Sequence, residues 1–72
     1  MNIAPVPAND RFTVRAENGA VIGDVRVLDG LGRKVMHLNA MATTITIDCA
    51  GWAPGSYLVH CGDARQRIIV LH

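Results

Sequence analysis

The side chains able to act as nucleophile, base or orienting acid are few: Cys49, Cys61, His37, His60, His72 and Asp48. Their spacing gives them no common focus. His60 and Cys61 are consecutive in a stretch that reads as extended, so they point to opposite faces and share neither a metal nor a catalytic pairing without a bulge. Close paired spacings of the Cys-x-x-Cys kind, the usual mark of a zinc site, are absent. His37 and His60 are expected at solvent-facing strand positions and His72 at a frayed end. The expectation is therefore no enzyme, no metal and no cofactor.

Cys49 and Cys61 flank a turn and lie 12 positions apart, which leaves a disulfide open, although two small buried hydrophobes are the plainer reading. The interval is too short for the inter-sheet bridge of an antibody-type sandwich. Gly30, Gly32, Gly51, Gly55 and Gly62 stand singly at turns, so none forms a phosphate-cradling loop that opens a helix. Trp52 and Tyr57 could stack on a sugar, which would suit an adhesion or carbohydrate-binding module; core anchoring is the ordinary role of aromatics in a chain with three of them. Arg26, Arg33, Lys34, Arg65 and Arg67 could form a docking surface for an anion, against the simpler reading of a solvated strand face.

The elements that must position these residues belong to one small domain. Seventy-two residues bury only about 60% of their unfolded surface. Half the residues are apolar, so a thin core rests on Val, Ile, Leu and Met, which leaves room for a homodimer. Seven basic against six acidic residues give a net charge of +1, and no stretch concentrates the positive side, so nucleic acid is not an expected partner. No apolar run reaches the length of a membrane span, and the N-terminus lacks the regions of a signal peptide. An exported chain of this kind would be a piece of a larger precursor, with Met1 an expression start.

Alternation predicts strands over 11–16, 24–29, 33–38, 43–48, 56–61 and 65–71. Residues 3–10, with their prolines, read as an extended lead-in. The Gly30-Leu31-Gly32 loop joins the best hairpin candidate, and residues 39–42 read as a connection. Pro54 and Gly55 predict a type II reversal over 53–56, after which Tyr57 and Val59 point inward. Four consecutive apolar residues, Ile68-Ile69-Val70-Leu71, suit a strand covered on both faces or placed at an interface. Six strands with turns between them and no helical period predict an all-β antiparallel sandwich or small barrel.

In their order, these segments resemble the C-terminal sorting domain (type A) of cargo exported by the type IX, or Por, secretion system of Bacteroidetes. The resemblance covers nearly the whole chain. Pro5-Val6-Pro7-Ala8-Asn9-Asp10 followed by Arg11-Phe12-Thr13-Val14 resembles the family's Pro-Asn-Pro lead-in and first strand, with Val6 in place of Asn. Val27-Leu28-Asp29-Gly30-Leu31-Gly32-Arg33-Lys34-Val35 resembles its strand, loop and Gly-Arg or Gly-Lys step. Thr44-Ile45-Thr46-Ile47-Asp48 is similar to its alternating strand with a terminal Asp, and Ala53-Pro54-Gly55-Ser56-Tyr57-Leu58-Val59 to its most specific motif. The basic-then-apolar ending, Arg65 and Arg67 before Ile68, Ile69 and Val70, is similar too. Cys49-Ala50 and Trp52 depart from the family's usual residues.

The resemblance implies an immunoglobulin-like β-sandwich of about six to seven short strands, with residues 1–10 a lead-in from the cargo linker and 11–72 the sorting domain. It implies passage through the periplasm and recognition by the outer-membrane translocon. Commonly a sortase-like peptidase then removes the domain at the surface, and the cargo is left there or secreted. The motif residues just named are its recognition candidates.

Overall fold

The alternating segments pair as strands in the computed structural model, which describes residues 1–5 and 8–71. Seven strands lie among the described residues: β1 (Asn2–Ala4), β2 (Arg11–Arg15), β3 (Gly23–Asp29), β4 (Lys34–Ala40), β5 (Thr44–Asp48), β6 (Gly55–Cys61) and β7 (Ala64–Val70). They form two antiparallel sheets, β1-β2-β5 and β4-β3-β6-β7, in an immunoglobulin-like sandwich. A single turn of 3-10 helix, Glu17–Gly19, lies on the connection from β2 to β3.

Period-two alternation supplies the core from both sheets. Phe12, Ile68 and the valines at 14, 25, 27, 59 and 70 are fully buried. Each such side chain contributes about 1.5–3 kcal/mol of burial free energy relative to exposure. Ile3, Ile47 and Tyr57 complete the inner layer, with Met36, Leu38 and Ile45 packed partly against it.

The expected hairpin is β3–β4. Its ladder shifts register between Val27 and Leu28: Val27 opposes Met36 while Leu28 opposes Lys34, which leaves Val35 as the extra residue of a bulge. Residues 39 and 40, expected in a connection, extend β4 instead, because Asp24 and Gly23 offer them ladder partners.

Three further features differ from the sequence expectation. The lead-in adds a strand, with Ile3 opposite Val14 docking β1 on β2, and bends follow at Pro5, Asn9 and Asp10. Ala8, fully buried, then bridges to Val70, its N–H donating to Ile69 O at 2.7 Å while Leu71 N–H donates to Ala8 O at 2.7 Å. The hydrogen-bonded reversal before β6 lies at Cys49–Trp52, closed by Trp52 N–H on Cys49 O at 3.0 Å, rather than over 53–56. Gly55 has a φ of +147°, well beyond the roughly +80° of a type II turn and in a region that side-chain-bearing residues rarely adopt. Finally, β7 keeps strict alternation. Ile68 and Val70 point inward, while Ile69 and Leu71 are 36% and 51% exposed, so within this chain the run is covered on one face only.

Candidate functional site

The motif residues separate into three structural groups. Tyr57, Val59, Ile68 and Val70 are core. Gly32, Arg33, Asp48, Pro54 and Gly55 shape loops and strand ends, and Pro5 follows β1. Lys34, Arg65, Arg67 and Ile69 lie on the outer surface of the four-stranded sheet; Pro7 and His72 lie outside the described residues.

The β3–β4 loop is built on Asp29. Its Oδ1 accepts the backbone N–H groups of Leu31 and Arg33, each at 2.9 Å, and its Oδ2 accepts Arg33 Nε–H at 2.9 Å. Gly32 supplies the left-handed residue, φ +82°, that this tight return requires. The Arg33 backbone hydrogen bond, joined by that of Leu31 and by the guanidinium, holds the Asp29 carboxyl below its ordinary value. Arg33 is thereby committed to its own loop. At the far end of β5, Asp48 Oδ1 accepts Ala50 N–H at 2.9 Å and starts the reversal into β6.

The diagnostic motif closes on itself. Tyr57, 6% exposed, donates its hydroxyl to Ala53 O at 2.5 Å, as a buried phenol must find an acceptor. Its ring lies 5.0 Å from Trp52, which meets Phe12 edge-on at 5.9 Å. The aromatics therefore pack on one another, and the rings offered above to a sugar serve the core.

The cysteines are free thiols with separate surroundings, so no disulfide joins them. Cys49 Sγ faces Asn9 O at 3.9 Å, and Cys61 Sγ faces Ile22 O at 3.4 Å. Burial pushes the Cys49 thiol up, and the Asp48 and Asp10 carboxylates add to the effect. An activated nucleophile needs the opposite shift. Among the described residues no three His, Cys, Asp or Glu side chains gather as a metal site.

Register assembles something that the linear charge distribution hides. On the outer face of the β4-β3-β6-β7 sheet, His37, Arg26, His60 and Arg65 oppose one another in one row across the four strands. The next row reads Lys34, Leu28, Leu58 and Arg67. Asp24 stands beside the first row; its carboxylate accepts a short hydrogen bond from His37 Nε2 and pairs with Arg26 Nε at 3.2 Å. Those contacts, His37 foremost, lower the Asp24 carboxyl. Lys34, Arg65 and Arg67 have no ion pair among the described residues. Four cations thus share a face with one carboxylate in a chain whose net charge is +1. Strand alternation already placed Arg26, His60, Arg65 and Arg67 outward; their mutual register could not be read without the fold.

The sequence pattern of the family described as Secretion system C-terminal sorting domain matches residues 2–70 and so includes all seven strands. No curated protein and no solved structure matches the chain. With nearly every residue inside the match, the chain belongs to the type IX secretion C-terminal sorting domain family.

Proposed function

We propose that this domain is the folded address of a larger cargo protein and directs that cargo through the type IX system across the outer membrane. The observation that carries the reading is the family match over residues 2–70, which spans the whole sandwich rather than a single motif. Membership implies export to the cell surface or the medium. Passage through the periplasm, engagement by the translocon and removal by a sortase-like peptidase are the finer steps of the proposal. The domain supplies none of that chemistry. Its more buried thiol is held protonated, and any cleavage is the work of the peptidase. Residues 1–10 serve as the entry from the cargo, with β1 and Ala8 anchoring that entry to the sandwich.

The test is a fusion of residues 2–72 behind a signal peptide and a reporter in a type IX-competent cell. The reporter should reach the surface, where added protease cleaves it. Retention in the periplasm refutes the reading. Deleting residues 68–72 removes the buried Ile68 and Val70 and should abolish export, whereas removal of His72 alone should not.

A further inference from the structure

Solvated strand faces ordinarily alternate charges of both signs, with few apolar residues between them. The outer face of the four-stranded sheet does neither. Asp24 is engaged by His37 and Arg26, and Asp29, at the end of β3, by Arg33, which leaves Lys34, Arg65 and Arg67 without an anionic partner among the described residues. Between Lys34 and Arg67 the second row holds Leu28 and Leu58, both half-buried, and Ile69 continues the apolar surface beside Arg67. Leu28, Leu58 and Arg67 border a concavity that reaches the Gly30–Gly32 loop. In the first row, His60 Nε2 is buried and has no hydrogen-bond partner. By contrast, the outer face of β1-β2-β5 sets Arg11 opposite Asp48 and Arg15 between Asn2 and Thr44, with Thr13, Thr46 and Ala4 as its other outward residues, and so has no large apolar side chain at its centre.

We propose that this face is a docking surface for an acidic protein patch, an apolar spot rimmed by carboxylates, on the export machinery; the inference rests on the sorting-domain reading. The charge pattern requires an anionic partner. The centre requires one with apolar side chains of its own, because Leu28 and Leu58 gain nothing from phosphates alone. Single-stranded nucleic acid is disfavoured because Phe12, Trp52 and Tyr57 are taken up in the core cluster, so the face has no base-stacking platform. A lipid surface is disfavoured because Leu28 and Leu58 are half-buried in the middle of their row, flanked by the longer side chains of Lys34 and Arg67. Three interstrand gaps make the face about 14 Å wide and its seven-residue strands make it about 23 Å long, on the order of 300 Å², well short of the roughly 800 Å² per partner of a stable interface. The contact is therefore weak, salt-sensitive and quickly released, as a label that must be handed on requires.

Two arms test the surface. In the first, the isotope-labelled chain is titrated with an acidic peptide that alternates Glu and Leu, with phosphatidylglycerol vesicles and with oligo-dT. The peptide should shift the amide signals of Arg26, Leu58 and Arg67. The double variant Arg65→Glu, Arg67→Glu should bind it about tenfold or more weakly, while Arg11→Glu, Arg15→Glu should bind as the parent does. Tighter binding to vesicles or oligo-dT, or indifference to the β7 reversal, overturns the proposal. In the second arm, the same variants replace the parent in the reporter fusion, with folding checked by Trp52 fluorescence. Failure of the parent to export refutes the sorting reading. Export of the parent and of the β7 variant to the same extent refutes the docking surface and leaves the sorting reading intact.

Discussion

Tyr57 joins two contributions that substitution can separate: a ring packed 5.0 Å from Trp52, and a hydroxyl that donates to Ala53 O. Tyr57→Phe keeps the ring and removes the hydroxyl. Ala53 is exposed, so its carbonyl regains water, and the loss is that of one net hydrogen bond, about 1 kcal/mol. Tyr57→Ala also empties the space beneath Trp52, and an aromatic truncated in a core costs about 3–5 kcal/mol. A chain of 72 residues has a total stability on the order of 4–11 kcal/mol. The second substitution thus removes a large share of it and the first a small one. Trp52 is the only tryptophan and touches the altered ring, so its fluorescence during urea and thermal unfolding reports the change directly. The Phe variant should melt about 4–8 °C below the parent, with an unchanged urea slope; the Ala variant should lose much of its folding transition. Equal loss in both variants would mean that the ring packing contributes nothing. Parity of the Phe variant with the parent would mean the same of the hydroxyl.

Asp29 gives the β3–β4 loop an acid limit. Its folded carboxyl lies below the ordinary 3.8, so the stability it contributes is fully present above that value and is lost as the pH falls through the lower folded value. The amide signals of Leu31 and Arg33 should hold from neutrality down to about pH 4 and move below it, and Asp29→Asn should remove the transition; movement well above that pH contradicts the assignment. The thiols should differ in reactivity: in the native chain a disulfide reagent should modify the half-buried Cys61 readily and the fully buried Cys49 only as fast as the fold opens. Equal rates would show that Cys49 is reached without opening.

What the sequence revealed depended on how local the governing physics was. Alternation needs only near neighbours, so β2, β5 and β6 were legible to within a residue or so, as was the inward placement of Tyr57 and Val59. β1 has three residues followed by a proline, too few to show a period, and exists because Ile3 finds Val14 across the ladder. The reversal before β6 was misplaced because Pro54-Gly55 is the stronger dipeptide signal. The Asp48 side chain on Ala50 N–H and the Cys49–Trp52 hydrogen bond turn the chain earlier, and Gly55 is used for its unusual φ at the strand entry. Residues 68–71 concealed their alternation because Ile69 and Leu71 are apolar where an outward residue is usually polar. The cationic face was illegible for a different reason. Arg26, Lys34, Arg65 and Arg67 come from three strands, and whether they share a face depends on a bulge at Val35 and on two ladder registers.

That dependence bears on how the address is read. A linear signal would survive unfolding, whereas a surface made by register exists only in the folded chain, so the docking proposal makes the sandwich a precondition of the label. Core and surface variants must then fail differently. With a stability on the order of 4–11 kcal/mol, a core loss of about 1 kcal/mol, as in Tyr57→Phe, leaves nearly all molecules folded and the label intact; export should collapse only when losses approach the total. Reversing Arg65 and Arg67, both exposed and without ion pairs among the described residues, leaves the folded population as it was and weakens the contact itself. Stability and export should therefore be uncoupled for the outer face of β7 and coupled, with a threshold, for its inner face at Ile68 and Val70. A linear signal would show neither the threshold nor the difference between the two faces of one strand.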